Sequence, residues 1–231
     1  MRTILDTYFN ADTIPLSPAQ LAQLAAFGAQ LLEKNQVMNL TAITEPSAVA
    51  QLHFFDCISL TRAVDFSNQR VIDVGCGAGF PGVPLKIAVP SMELTLLDSL
   101  NKRIRWLQDE ALPEIGVQAT CLSGRAEELV QTRREQYDIA TSRAVARLNV
   151  LCELCLPYVK PGGCFIAMKG AQAEQELQEA KNAIRLLGGK VEQVYAYPVG
   201  DATHYAVIVR KVGHTPPAYP RRFAKIKQQP L

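Results

Sequence analysis

The chain has 231 residues, of which 48% are hydrophobic, and this is enough material for one sizeable core in one or two domains. No apolar run approaches the ~18 residues of a membrane span, and no basic region precedes an apolar core at the N-terminus, so we expect a cytoplasmic protein. The net charge of +2 hides an asymmetry, because residues 202–231 contain six Lys or Arg and no Asp or Glu. The preceding residues therefore carry a net charge of −4.

Residues 1–65 contain no strand pattern and predict a helical N-terminal extension. The pair Ser17-Pro18 is typical of a helix start, since serine caps the first turn and proline fits its first position. A second helix is predicted to begin near Thr44 and to carry His53 and Asp56 on overlapping faces. These two side chains are expected to orient one another near a substrate, with a helix cap or a core hydrogen bond as the alternative.

From about residue 70, short runs of β-forming residues alternate with helical segments. The predicted strands lie near residues 70–74, 93–98, 117–122, 137–141, 163–168, 191–197 and 204–210. This alternation predicts an α/β fold with a doubly wound, mostly parallel, Rossmann-like sheet, and the closely spaced last two strands predict an antiparallel end. We therefore expect a sheet domain over residues 66–212 and a basic tail over residues 213–231. A ligand of such a sheet binds at the carboxyl ends of its strands.

The run of residues 71–82, Val-Ile-Asp-Val-Gly-Cys-Gly-Ala-Gly-Phe-Pro-Gly, predicts a buried strand that ends in a glycine turn and opens a helix. Glycines such as Gly75 and Gly77 let the backbone approach a ligand where a Cβ atom would collide. Asp98 closes the next predicted strand. In a strand-helix-strand unit, this spacing brings its carboxylate to the ribose of a bound nucleoside.

The same letters satisfy the dinucleotide fingerprint GxGxxG, so the kind of nucleoside must be decided on other grounds. Pro81 and Pro84 remove two amide donors from the helix start on which a pyrophosphate would lie. Asp73 places a negative charge that would repel a phosphate and attract an ammonium or sulfonium group. S-adenosylmethionine carries both cations and no phosphate, and the residues favour it. NAD and a ligand-free structural turn are the alternatives.

Six cysteines fall mostly within apolar segments, which is typical of buried thiols in a reducing compartment. The only CxxC pair, Cys152 and Cys155, has no second pair and no nearby histidine to complete a zinc site. We expect no metal.

With these features in place, the chain resembles the glucose-inhibited division protein B family of bacterial small-subunit ribosomal RNA methyltransferases. The matching motifs occupy residues 39–43, 53–56, 73–84, 96–99, 102–103, 124–127, 141–146 and 169–170, with a basic ending in Pro-Leu. The resemblance implies a class I methyltransferase sheet that binds S-adenosylmethionine and modifies N7 of a guanine in 16S ribosomal RNA. Its partner would be ribosomal RNA or the small ribosomal subunit, and we expect a monomer.

The resemblance also implies site residues, which are Gly75, Phe80, Ala126, Glu127 and Arg143 for the cofactor, with Asp98 at the ribose. The residues themselves add Asp73 and Gly77. One departure is that Phe223-Ala224-Lys225-Ile226 replaces a proline- and glycine-containing turn in the family's tail. The conformation of this tail is therefore not predicted.

The chemistry is consistent with in-line methyl transfer without a covalent intermediate. An enzyme acting on exocyclic amines has a proline-rich loop after the fourth strand, whereas residues 138–146 contain no proline. Cytosine C5 chemistry needs a cysteine in that loop, and Cys121 lies one strand too early. Guanine N7 is an unprotonated lone pair and needs no base. Another RNA, a small molecule, an NAD-dependent oxidation and non-catalytic RNA binding are the alternative functions.

Arg143 is the candidate catalytic residue, because a guanidinium group can donate two hydrogen bonds to guanine O6 or to a phosphate. An ion pair with Asp138 or Glu127 is the structural alternative. The remaining RNA contacts are predicted from basic residues at helix or strand ends and in the tail. They are Lys102, Arg103, Lys169, Arg221, Arg222, Lys225 and Lys227. For the tail residues, a solvated terminus is the alternative.

Overall fold

The computed structural model describes residues 1–10 and 13–231, and within them seven strands form one sheet in the order β3-β2-β1-β4-β5-β7-β6. The strands are β1 Arg70–Val74, β2 Glu93–Asp98, β3 Thr120–Ser123, β4 Tyr137–Arg143, β5 Val159–Lys169, β6 Gly189–Val199 and β7 Ala202–Lys211. Strands β1 to β5 are parallel, while β7 runs antiparallel to both β5 and β6. The predicted fold class is confirmed.

The α-helical segments are α1 Arg2–Tyr8, α2 Pro18–Met38, α3 Pro46–Val49, α4 Asp56–Ile58, α5 Gly82–Ala88, α6 Asn101–Trp106, α7 Leu112–Glu114, α8 Ala126–Leu129, α9 Leu148–Cys155, α10 Ala173–Leu186 and α11 Phe223–Gln228. Wide π-helical turns at Ala50–Phe55 and Leu107–Ala111 join α3 to α4 and α6 to α7.

Two strands begin three or more residues away from their predicted starts. The third strand begins at Thr120 rather than near residue 117, because Val117 packs in the core before pairing with β2 begins. The fifth strand begins at Val159 rather than near residue 163, since a register shift opposite Tyr137 accommodates the positive φ of Gly162. Irregular pairing of this kind leaves no clear signal in a single sequence.

Both faces of the sheet are covered, as continuous apolar strands require. Val71 of β1 belongs to a core shared with α2, α5 and α6, while Ile72 and Val74 belong to a second core built with α9 and α10. The N-terminal helices pack on the first face, where the Phe27 ring contacts Phe54 and Phe80 with ring centroids 6.1 and 5.7 Å away. The predicted N-terminal extension therefore shares its core with the sheet domain.

Local sequence explains how the N-terminal helices begin and end. Ser17 and Gln20 form a reciprocal capping box at the start of α2, and Asn39 ends the helix in the left-handed conformation. The second predicted helix begins at Pro46, as expected, and passes through the π-helical turn before Asp56. This wide turn brings His53 and Asp56 to the end of β4, consistent with the frequent use of π turns at functional sites.

The basic tail packs against the sheet domain instead of extending into solvent. Arg221 donates to both carboxylate oxygens of the fully buried Glu153, at 2.8 and 2.6 Å, and its backbone amide donates to the same carboxylate. Ile226 is fully buried in the second core. Lys211, at the end of β7, donates to Glu135, Thr215 and two backbone carbonyls from a fully buried position. The alternative of a solvated terminus is therefore wrong for Arg221, whereas Arg222, Lys225 and Lys227 are exposed.

Candidate active site

The glycine turn after β1 is fixed by the end of β2. The amides of Gly75 and Cys76 donate to the Leu97 carbonyl at 2.8 and 3.0 Å, and the Gly77 amide donates to Asp98 Oδ2 at 2.9 Å. Gly75 and Gly77 have φ values of +75° and +57°, which glycine adopts without strain. The turn is therefore held in one conformation with most of its amides already bonded.

The two predicted carboxylates occupy different positions. Asp98 also accepts from the Leu100 amide at 2.8 Å and lines the cavity above the turn. Asp73 lies beneath the turn, fully buried, and accepts from the Gly82 amide at 2.8 Å. Its other oxygen has no partner among the described residues, and burial raises the pKa of Asp73 to about 7. Asp73 does not line the cavity, and it supports the turn from below.

A cavity of about 470 Å³, here called the loop cavity, opens above the glycine turn at the carboxyl edge of the sheet. It brings together many of the predicted site residues, which are Gly75, Gly77, Phe80, Asp98, Arg103 and Arg143. Ala126 and Glu127 lie at the start of α8 and are not in its lining. Glu127 instead borders a cleft that α8 forms with the tail.

Arg143 ends β4 and is held on several sides. Its Nη1 atom donates to the Leu52 carbonyl at 2.9 Å and lies 3.3 Å from Asp56 Oδ2, while Nη2 donates to His53 Nδ1 at 2.9 Å. The guanidinium carbon lies 4.9 Å from the centroid of the Phe80 ring. The alternative ion pair with Asp138 or Glu127 is wrong, because the carboxylate partner of Arg143 is Asp56.

The contacts of His53 define its protonation state. A guanidinium group only donates, so His53 Nδ1 must accept, and the ring proton is assigned to Nε2, 2.8 Å from Thr41 Oγ1. Burial and the nearby Arg143 charge lower the pKa of His53 to about 4. The imidazole stacks on Phe80 with ring centroids 4.5 Å apart. His53 is thus a neutral side chain in the wall of the loop cavity.

Asp56 forms contacts that sequence reasoning missed. Its Oδ1 atom accepts from Tyr197 at 3.0 Å and lies 2.9 Å from His204 Nδ1, while Oδ2 faces Arg143. Tyr197 and His204 come from β6 and β7, more than 140 residues further along the chain. Antiparallel pairing of β6 and β7 places them opposite one another, and no local motif indicates this. The Asp56 carboxylate therefore bonds these side chains and Arg143 rather than the His53 imidazole.

A second cavity of about 670 Å³, here called the neighbouring cavity, adjoins the loop cavity. His53, Arg143 and the segment 144–145 border both cavities. Ala144 has a φ of +55°, a strained value for alanine, and this turn directs Val145 toward Gly75. Two ligands, one in each cavity, can therefore meet at these shared residues beside the glycine turn.

The predicted RNA contacts differ in their availability. Lys102 is exposed, whereas Arg103 borders the loop cavity with Nη1 3.8 Å from Asp98. Lys169 borders the neighbouring cavity, but its ammonium group already bonds Glu176 and the Ala146 carbonyl, both at 2.7 Å. Arg221 bonds Glu153, as described above. Of the predicted contacts in the tail, Arg222, Lys225 and Lys227 are exposed.

The family model for GidB, described as rRNA small subunit methyltransferase G, matches residues 20–203. The chain belongs to this family. A ribosomal RNA small subunit methyltransferase G from Alkaliphilus oremlandii is 48% identical over 223 residues, which cover 94% of this chain and 93% of the relative. The protein of the same description from Bacillus subtilis strain 168 is 44% identical over 225 residues, with 94% and 93% coverage. The predicted family resemblance is confirmed.

A solved structure of a SAM dependent methyltransferase from Aquifex aeolicus is similar to this GidB family member with a TM-score of 0.55. The identity is 15%, and the match covers 80% of this chain and 98% of that one, so the likeness concerns the fold.

None of the described helices has the length and apolar character needed to cross a membrane. In residues 1–10 and 13–231, no three His, Cys, Asp or Glu side chains form a group suited to a metal ion.

Proposed function

We propose that this chain, acting as a cytoplasmic monomer, transfers the methyl group of S-adenosylmethionine to N7 of a guanine in small-subunit ribosomal RNA. The observation that carries this proposal is the loop cavity, built at the carboxyl edge of the sheet by a member of the rRNA small subunit methyltransferase G family. The position of such a cavity in an open α/β sheet is the usual position of a nucleoside ligand.

The residues of the loop cavity fit this cofactor better than a dinucleotide. A pyrophosphate requires free amides at the glycine turn, but the amides of Gly75, Cys76 and Gly77 bond Leu97 and Asp98. The Gly82 amide bonds Asp73, and Pro81 and Pro84 have no amide hydrogen. These engaged groups favour a ligand without phosphates, which supports S-adenosylmethionine over NAD.

S-adenosylmethionine, when bound, would supply a methyl group activated by its sulfonium. The glycine turn, Asp98 and Phe80 would hold S-adenosylmethionine in the loop cavity. Ala126 and Glu127, at the start of α8 and outside the lining of this cavity, would contact the part of the cofactor that extends beyond it. Asp73 would act indirectly by holding the turn through Gly82. Alignment of sulfur, methyl and acceptor is the main requirement of an in-line displacement, and a turn whose amides donate three hydrogen bonds to Leu97 and Asp98 provides a rigid reference for it.

The neighbouring cavity would receive the guanine. Guanine N7 offers a lone pair at neutral pH, so the site needs an orienting donor rather than a base. Arg143 has that capacity, because its Nε atom has no hydrogen-bond partner in the described part of the chain. Its rigid position beside both cavities would let it donate to guanine O6 while N7 faces the methyl group.

The function is tested by calorimetry with S-adenosylmethionine and by transfer of a tritiated methyl group to purified small subunits and to naked 16S RNA. We expect micromolar binding, no competition by NAD, and 7-methylguanosine as the labelled nucleoside in digested RNA. Label on another base or on cytosine C5 would contradict the guanine-N7 assignment. Absence of both binding and transfer, with RNA present in each assay, would contradict methyltransferase activity.

The tail would contribute RNA affinity through its exposed cations. Arg125 lies 5.3 Å from the Phe223 ring centroid, and this contact places the start of α11 beside α8, at the carboxyl edge that holds both cavities. Arg222, Lys225 and Lys227 are exposed there, and no ion pair engages them among the described residues. We therefore propose these three as phosphate contacts, together with Lys102.

Replacing Arg222, Lys225 and Lys227 together by alanine is expected to weaken RNA binding about tenfold or more at 150 mM salt and to reduce its salt dependence. Affinity for S-adenosylmethionine should change less than twofold. Filter binding and calorimetry measure the two affinities. The charge-matched control replaces Lys181, Arg185 and Lys190, which are exposed on α10 and β6. Equal losses of RNA affinity in both triple variants would contradict the proposed contacts, because RNA binding would then depend only on total charge.

A further inference from the structure

The neighbouring cavity contains a histidine that the proposed chemistry does not use. Asp56 is almost fully buried and accepts from Tyr197, His204 and Arg143, so its carboxylate is held in one orientation. His204 lies 2.9 Å from Asp56 through Nδ1 and is 27% exposed. The geometry is that of a buried carboxylate orienting an accessible imidazole.

The contact with Asp56 defines which atom of the ring is available. A carboxylate only accepts when ionised, so His204 Nδ1 carries a proton and Nε2 lies on the opposite side of the ring. His204 Nε2 has no hydrogen-bond partner within residues 1–10 and 13–231, and the ring borders the neighbouring cavity. Nε2 is thus the polar atom of this side chain that is left for a ligand.

We propose that His204 contacts the RNA substrate, with Nε2–H donating a hydrogen bond to an acceptor oxygen of the target nucleotide in the neighbouring cavity. This inference rests on the proposed function. The oxygen is either guanine O6 or a phosphate oxygen, since both accept from a cationic donor. The same cavity borders Arg143, so two donors from different strands would orient one nucleotide.

Donation from Nε2 requires the imidazolium form, because Nδ1 already carries the proton shared with Asp56. The hydrogen bond to Asp56 raises the pKa of His204, whereas burial and the Arg143 charge oppose this change. The Tyr197 ring of β6 packs edge-on against the imidazole, and the other charged side chains that border the cavity are Lys169, Glu176 and Arg147. The proposed contact would therefore weaken as pH rises through the raised pKa of His204.

Two substitutions separate a substrate contact from a structural role. The amide nitrogen of His204→Asn can occupy the position of Nδ1 and keep the bond to Asp56, but no group remains at Nε2. The amide nitrogen of His204→Gln can occupy the position of Nε2, but the bond to Asp56 is lost. We expect His204→Asn to raise the KM for small subunits or 16S RNA about tenfold and His204→Gln to raise it less than threefold. A purely structural role would reverse this order.

The pH profile and cofactor binding complete the experiment. Wild-type kcat/KM should fall as pH increases from 6 to 9, and His204→Asn should remove that fall while binding S-adenosylmethionine as tightly as wild type. A wild-type-like KM and pH profile in His204→Asn would overturn the proposal, as would an increase of wild-type kcat/KM with pH that depends on His204. If wild type itself transfers no methyl group to RNA, the proposed function fails rather than the role of His204.

A modified RNA distinguishes guanine O6 from a phosphate oxygen as the acceptor. RNA with 2-aminopurine at the modified position lacks O6. A His204→Asn defect that disappears on this RNA assigns the contact to O6, and a defect that persists assigns it to a phosphate oxygen.

If His204→Asn does not fold, NMR titration of ¹⁵N-histidine-labelled wild type replaces the variant. Saturating RNA should raise the pKa of His204, and an unchanged titration would overturn the contact.

Discussion

Gly75→Ala is expected to lower the affinity for S-adenosylmethionine at least tenfold. A Cβ atom at position 75 would lie 2.5 Å from Val145 Cγ2, a distance that real Cβ contacts do not show, and the φ of +75° is unfavourable for alanine by about 1 kcal/mol. Val145 and its strained neighbour Ala144 would have to move, and they form the wall shared by the two cavities. Calorimetry with S-adenosylmethionine measures the loss.

Gly116→Ala is the matched control for Gly75→Ala. Gly116 has a φ of +66°, but a Cβ atom there would have no neighbour within 4 Å. The control should therefore lose a similar amount of stability from backbone strain and keep its cofactor affinity. The double variant Gly75→Ala/Val145→Ala removes the collision and should recover part of the affinity. Unchanged binding by Gly75→Ala would show that the turn and Val145 adjust freely.

Much of the sheet and of the glycine turn was predictable because both depend on local sequence. Continuous apolar runs mark parallel strands that are buried on both faces, and β1 and β2 are found at the predicted residues. Strand-helix alternation also predicted that Gly75, Asp98 and Arg143 meet at one edge, and the loop cavity brings them together. These residues lie at strand ends, where topology alone sets the position.

The partners of the predicted residues depend on long-range contacts that a single sequence does not indicate. Asp56 meets His204 only because β7 returns antiparallel beside β5, far along the chain. In the same way, Arg221 looks like one more cation of a basic tail, yet the buried Glu153 of α9 engages it fully. Charge patterns in sequence predict a basic surface but not which of its members are already paired.

Arg143→Ala is expected to reduce kcat/KM for RNA methylation by at least a hundredfold, which corresponds to about 2.7 kcal/mol of transition-state stabilisation. The substitution removes the donor proposed for guanine and leaves the buried Asp56 without its guanidinium partner. Arg143→Lys should lose nearly as much, because one ammonium group cannot reach the Leu52 carbonyl, Asp56 and His53 while covering the Phe80 ring. Single-turnover methyl transfer to small subunits, with cofactor saturating, measures the effect.

Arg185→Ala is the control for charge, since Arg185 is exposed on α10 and bonds only Asn182 in the part of the chain that the structure describes. Thermal unfolding distinguishes loss of chemistry from loss of fold, because an Arg143 variant that keeps a cooperative transition and binds S-adenosylmethionine has an intact loop cavity. A cofactor-saturated Arg143→Lys enzyme with wild-type kcat/KM would mean that a positive charge at this position is sufficient. A hundredfold loss in both Arg143 variants would instead show that the planar guanidinium is required, held beside Phe80 and Asp56 at the wall where we propose that the methyl group and its acceptor meet.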